Sequence, residues 1–141
     1  MEEVVVDASV VVKWFVEEEF EKEALMLRDA YVERAIRLSS PALMPLEVMN
    51  SLEAANNNEQ FLTEATKSLT QYGIRLFLPI GPYLSDTIKL SARNSVSTYD
   101  ASYVVLAERL GCLLYTADTE LIKRLSADDK KYVRPISDFR A

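Results

Sequence analysis

The sequence predicts an α/β fold, a central parallel sheet sandwiched between helices. Three observations carry the prediction. Short apolar runs recur at residues 4–6, 74–80, 112–117 and 132–136. Each has the length of a strand buried on both faces. Longer amphipathic stretches separate them, so strand joins strand through a helical crossover, the connection parallel strands require. No repeat, low-complexity tract or linker interrupts the 141 residues, which predicts a single domain over residues 1–141 with one core.

Val4, Val5 and Val6 form the first strand, and Asp7 follows with no polar residue between. A helical stretch begins near Val10. Trp14 and Phe15 after it are large apolar groups expected in the core or between two copies. A long helix is expected over residues 20–36. SSPALMP is a short apolar lead into a helix over residues 46–57, with Pro45 suited to the first turn. The next helix, residues 59–72, stops at Gly73. IRLFLPI is a strand. Residues 82–94 and 98–110 are helices, the second with Thr98 as its N-cap and Gly111 as its stop. CLLYTA is a buried strand, DTELIKRLS a helix and YVRPI a last short strand.

Composition narrows the chemistry. Apolar residues make up 49% of the chain and charged residues 27%, a globular balance rather than a disordered one. No apolar run is long enough to span a bilayer, so no membrane partner is expected. Acids at Glu2 and Glu3 stand where an export signal carries basic residues, which leads us to expect a cytoplasmic protein. The single cysteine, Cys112, excludes an internal disulfide and is expected in the core. There is no histidine, which removes Ser-His and Cys-His nucleophile pairs and the usual zinc sites. Chemistry must run on carboxylates, hydroxyls, amines or a hard metal ion. The net charge of −6 argues against a general nucleic-acid binder. It leaves room for a nucleic-acid enzyme whose phosphate contacts are local or carried by metal ions.

In a parallel sheet every strand C-terminus lies along one edge, beside the N-terminus of the following helix, and ligands bind there. Four acids fall at that edge: Asp7, Glu47, Asp100 and Asp118. Each alone has an ordinary explanation, because acids favour helix starts. Asp7 fits that explanation least, since three valines lead directly into it. Together the four would repel one another, and a cation or protons must neutralise them. Mg²⁺ suits such a set, taking oxygen ligands and retaining several waters. Carboxylate-only metal sites suit phosphodiester hydrolysis. Ser9 and Thr116 stand two residues from Asp7 and Asp118, where their hydroxyls would orient a carboxylate or serve turns and caps. Lys13, Arg75, Lys89, Arg93, Lys123 and Arg124 are candidate phosphate contacts. Tyr99 would stack on a base or, by the commoner reading, pack in the core or an interface.

These motifs resemble the PIN-domain ribonucleases, and among them the VapC-type toxins of toxin–antitoxin pairs. VVVDASVVVKWF is similar to the family's opening strand and first acid. LEVMNSL is similar to its second motif, and TYDASYVVLAERLG with LLYTAD to its third and fourth. The resemblance covers nearly the whole chain. It implies a three-layer α/β/α sandwich and an Mg²⁺- or Mn²⁺-dependent endoribonuclease. It carries the metal-binding and catalytic roles to Asp7, Glu47, Asp100 and Asp118, and supporting roles to Ser9 and Thr116. Asn50, one helical turn from Glu47, would lie near the pocket, and Glu120 is the nearest candidate for a further acid. The implied partners are an RNA substrate, a second copy of the chain and a small VapB-type antitoxin.

Alternatives remain open at this point. An inactive PIN-like module that binds RNA or protein, or a stand-alone RNA-processing nuclease, would carry the same acids. An aspartyl-phosphate phosphatase is disfavoured because Ser9 stands where its second aspartate belongs. A receiver-like switch lacks its acidic pair and its lysine.

Overall fold

The computed structural model describes residues 1–141. It is a three-layer α/β/α sandwich with a five-stranded parallel sheet. The strands are β1 (Glu2–Val6), β2 (Ile36–Pro41), β3 (Arg75–Phe77), β4 (Leu113–Thr116) and β5 (Val133–Pro135). Their order is β3-β2-β1-β4-β5. The helices are α1 (Ala8–Val11), α2 (Glu21–Val32), α3 (Met44–Ala55), α4 (Glu59–Tyr72), α5 (Gly81–Asn94), α6 (Thr98–Leu110) and α7 (Thr119–Arg124). The chain winds outward from β1 to β2 and β3, then returns to add β4 and β5. The strand order therefore reverses between β1 and β4, where a doubly wound sheet opens a crevice for ligands.

Val4, Val5 and Val6 are almost wholly buried at the centre of the sheet. Val4 lies beside Leu38 on one side and Leu113 on the other. Helix α6 crosses β1, β2 and β4 and pairs with α5. Every residue of α6 from Ala101 to Ala107 is buried, as expected of a helical stretch with no charged residue on any face. Trp14 is buried too. Its indole N–H donates to the Ala24 carbonyl at 2.9 Å, and its ring meets Tyr72 edge-on. No helix is long and apolar enough to cross a membrane.

The helix expected over residues 20–36 is shorter, and a strand was missed. Helix α2 ends at Val32, Arg34 turns the chain with φ 65°, and β2 begins at Ile36. Polar Ser39 and Ser40 disguise this strand. Both are fully buried, made tolerable by hydrogen bonds. Ser39 Oγ donates to Glu3 Oε2 at 3.0 Å, and Ser40 Oγ donates to the Val6 carbonyl. The β3 strand is also shorter than the apolar run IRLFLPI suggests. The cap of α6 is Ser97, not Thr98: Ser97 Oγ accepts from the Asp100 backbone N–H at 3.0 Å. Gly73 and Gly111 stop their helices in the left-handed conformation, φ 63° at both, where a Cβ is disfavoured.

An ionic tether around the buried Asp129 carboxylate joins the end of α5 to the segment before β5. Asp129 accepts two hydrogen bonds from Arg93, at 2.6 and 2.8 Å, one from Asn94 at 2.8 Å and one from Ser126 Oγ at 3.1 Å. The Arg93 hydrogen bonds lower the Asp129 pKa to about 2, with Asn94 and Ser126 adding to the effect. Asp129→Ala strands those donors, and we expect it to cost about 2–3 kcal/mol, discounted because Arg93 is half exposed. Urea unfolding checks this; a loss below about 0.5 kcal/mol would make the tether incidental.

Candidate active site

Asp7 follows β1 directly, where the strand order reverses between β1 and β4, and is 6% exposed. Asp7 stands at the N-cap of α1, yet its side chain makes no cap hydrogen bond. Two hydroxyls hold it instead, both on the same oxygen. Thr116 Oγ1 donates to Asp7 Oδ2 at 2.6 Å and Ser9 Oγ donates to it at 3.0 Å. Those hydroxyls are themselves anchored by backbone. The Ala117 N–H donates to Ser9 Oγ and the Asp118 N–H to Thr116 Oγ1, each at 3.0 Å. The turns after β1 and β4 are thus stitched together around one carboxylate, and Asp7 Oδ1 receives no protein donor.

The other three acids stand on neighbouring elements. Glu47 lies in the first turn of α3 and is half-buried; Tyr103 Oη donates to its Oε1 at 2.7 Å. Asp100 lies in the first turn of α6. Asp118 caps α7, its Oδ1 accepting from the Leu121 N–H at 3.1 Å.

Electrostatics tie the acids together. Burial pushes the Asp7 pKa up to about 6 against the pull of the Thr116 and Ser9 hydroxyls, and the charges of Asp100 and Glu47 push it further the same way. Burial raises Glu47, opposed by the Tyr103 hydrogen bond and helped by Asp100. Burial raises Asp100, and the Asp118 charge adds to it while Ser97 and Arg124 oppose it. The site is a dense negative field on the edge where the sheet reverses.

The donor set is all oxygen and all anionic, which suits a hard divalent cation. No three acids are gathered closely enough to enclose an ion between them. That spacing fits Mg²⁺ or Mn²⁺ held by one or two carboxylates, with water completing the shell, rather than an all-protein cage.

Other candidates fare differently. Asn50 is exposed and makes no hydrogen bond to the acids. Glu120 is exposed and pairs with Lys123 at 3.3 Å. Of the six basic candidates, Lys13 is buried against Glu18, Arg75 pairs with Glu3 and lies over the Phe77 ring, and Arg93 is consumed by Asp129. Lys89 and Arg124 make no ion pair, and only Arg124 acts on one of the four acids. Tyr99 is exposed beside Asp100 rather than packed in the core. Tyr103 escaped the sequence reading because YVVLA reads as core; the one available signal was its position three residues after Asp100.

The family profile of the PIN domain matches residues 4–127. Ribonuclease VapC3 of Pyrobaculum aerophilum is 31% identical over 134 residues, covering 87% of this chain and 95% of that protein. FitAcB from Neisseria gonorrhoeae superposes with a TM-score of 0.69 at 14% identity, covering 96% of this chain and 99% of the other. VapC20 of Mycobacterium tuberculosis, described as a sarcin–ricin-loop-cleaving toxin, superposes with a TM-score of 0.66 at 13% identity, covering 84% and 92%. At those identities the two structures speak for the fold alone. The profile match and the VapC3 relative reach further, and with them the chain belongs to the PIN-domain family, among the VapC ribonucleases.

Proposed function

We propose that the protein is a divalent-metal-dependent endoribonuclease of one domain, acting in the cytoplasm as the toxin of a VapBC-type toxin–antitoxin pair. The observation that carries the reading is Asp7: a buried carboxylate at the sheet's reversal point, held through one oxygen by Thr116 and Ser9, in the field of Glu47 and Asp100. A charge kept in that setting destabilises the fold, and a cation turns it to use.

Asp7, Glu47, Asp100 and Asp118 are the proposed metal-binding and catalytic residues, one or two of them holding the ion directly and the others through its waters. Bound Mg²⁺ or Mn²⁺ would polarise the scissile phosphoryl group and ease deprotonation of the attacking water. The chain's own work is orientation. Thr116 and Ser9 fix Asp7 Oδ2 and leave Oδ1 available. Glu47 and Asp100 approach from α3 and α6. The unpaired Arg124 guanidinium beside Asp100 is the proposed contact to an RNA phosphate. Water attacks phosphorus, the bond to the ribose oxygen breaks, and that oxygen takes a proton.

Two partner surfaces support the rest of the reading. Leu84 and Ile88 are exposed one turn apart on α5, with Ile80 exposed at its N-cap, an apolar patch suited to a second copy of the chain. A groove of about 360 Å³ beside α3, lined by Met44, Leu46, Met49, Leu69, Ile74 and Leu76, offers an apolar seat to an antitoxin segment.

The test is labelled single-stranded RNA incubated with protein freed of any partner. Cleavage in Mg²⁺ or Mn²⁺, stopped by EDTA and restored by adding the metal back, is the expected result. Cleavage that persists undiminished in EDTA would overturn the mechanism.

A further inference from the structure

We infer that Tyr103 is a positioning residue: its buried hydroxyl fixes the Glu47 carboxylate, so that helix α6 orients two of the four acids. The inference rests on the nuclease reading above.

Three tyrosine hydroxyls donate hydrogen bonds within the protein. Tyr31 donates to the Tyr72 carbonyl at 2.6 Å and Tyr83 to the Ser102 carbonyl at 2.7 Å. Both satisfy a polar group against backbone, the usual arrangement for a packed tyrosine. Tyr103 differs. It is completely buried, and its hydroxyl donates to a carboxylate, Glu47 Oε1, at 2.7 Å across 56 positions of sequence. One hydroxyl therefore links helix α6, which carries Asp100, to the Glu47 side chain on α3.

Glu47 needs such a link. Its side chain is long and half-buried, and Tyr103 is the only protein group that donates to it. Without that donor its rotamers are free, and an unfixed ligand binds a metal more weakly. The hydrogen bond occupies Oε1 and leaves Oε2 without a protein donor. Tyr103 also follows Asp100 by three residues, so the two share one face of α6. The buried ring, locked in the core, gives that face its rigidity.

The test variant is Tyr103→Phe, which keeps the ring and deletes the hydroxyl. Tyr31→Phe, which deletes a backbone-bonded hydroxyl far along the chain, is the control. We expect Tyr103→Phe to weaken Mn²⁺ binding, read by electron paramagnetic resonance, by about 10–100-fold. We expect kcat on RNA to fall by a similar factor with KM within about twofold, and Tyr31→Phe to change neither. Added to Glu47→Gln, the Tyr103 change should cost nothing more, since both act through one group. A further readout needs neither metal nor RNA: carbon-13 couplings of Glu47 in metal-free protein should report one rotamer in the wild type and averaging in Tyr103→Phe. A single Glu47 rotamer in Tyr103→Phe, or Mn²⁺ affinity equal to the wild type, overturns the inference. A wild type that binds no Mn²⁺ and cuts no RNA defeats the nuclease reading instead, and the coupling measurement still decides the role of Tyr103.

Discussion

Replacing Asp7 by asparagine will produce a protein that is more stable than the original and cuts RNA at least about a thousandfold more slowly, the rate equivalent of roughly 4 kcal/mol of lost transition-state stabilisation. Both effects come from the same charge. Asp7 is 6% exposed and carries its negative charge beside Glu47 and Asp100. Burial raises its pKa to about 6, from 3.8 for an unperturbed aspartate. The folded state therefore holds the proton more tightly than the unfolded chain does. The resulting penalty is full above about pH 6 and fades as pH falls toward 4. Asparagine has the same shape, keeps an acceptor for the Thr116 hydroxyl and has no charge to bury. In metal-free buffer near neutral pH we expect a gain of about 1–2 kcal/mol, a Tm rise of roughly 3–8 °C.

The wild type shows the same physics as a pH profile. Glu47, Asp100 and Glu108 are also pushed upward by burial, so they share the sign of Asp7. Asp129 has the opposite sign: its pKa is held down to about 2 by Arg93, so its support is full above about pH 4 and is lost toward pH 2. Metal-free protein should be most stable at about pH 4–5, between the two effects, and Asp7→Asn should flatten the rise from neutral pH toward that maximum. Thermal melts in EDTA across this range check both. A variant that melts below the wild type near neutral pH, or that retains full nuclease activity, would remove Asp7 from the role given to it.

How much of this was legible in the sequence follows from how local each signal is. The run Val4, Val5, Val6, Asp7 announces a buried strand ending on a charge, and that is what the structure contains. Gly73 and Gly111 mark helix ends by a conformation each residue adopts alone. The strand β2 was not legible, because Ser39 and Ser40 are made buryable by Glu3 and the Val6 carbonyl, partners more than thirty positions away. Arg93 looked available for phosphate for the same reason: Asp129 lies 36 residues further on. At the site, the positions of the four acids were readable from strand ends and helix starts. The hydroxyls of Ser9 and Thr116 were readable as candidates by spacing. That both bind one oxygen of Asp7 depends on β1 and β4 being neighbours, a fact of topology. Tyr103 was hidden most completely, since a tyrosine in an apolar helix looks like packing until its hydroxyl is seen to meet Glu47.

Adding Mn²⁺ to metal-free protein will raise its melting temperature, and the rise will shrink as the pH falls. Binding to the folded state alone, at a hundredfold excess over Kd, stabilises by about 2.7 kcal/mol. For a chain of this size that is a Tm shift of roughly 8–12 °C. The acids repel one another in metal-free protein, so part of the binding energy is relief of that repulsion. Protons relieve it too, and Asp7 takes one at about pH 6. Below that point the ion must displace the proton, and apparent affinity falls about tenfold per pH unit for each proton released. Melts with and without Mn²⁺ should therefore differ most near pH 7.5 and much less near pH 5. Asp7→Asn, already relieved of the central charge, should respond little at either pH. A shift that is independent of pH and survives in Asp7→Asn would place the ion elsewhere on the surface. The expected result instead makes ion and proton rivals for one negative field, centred on the carboxylate that ends the buried strand of valines.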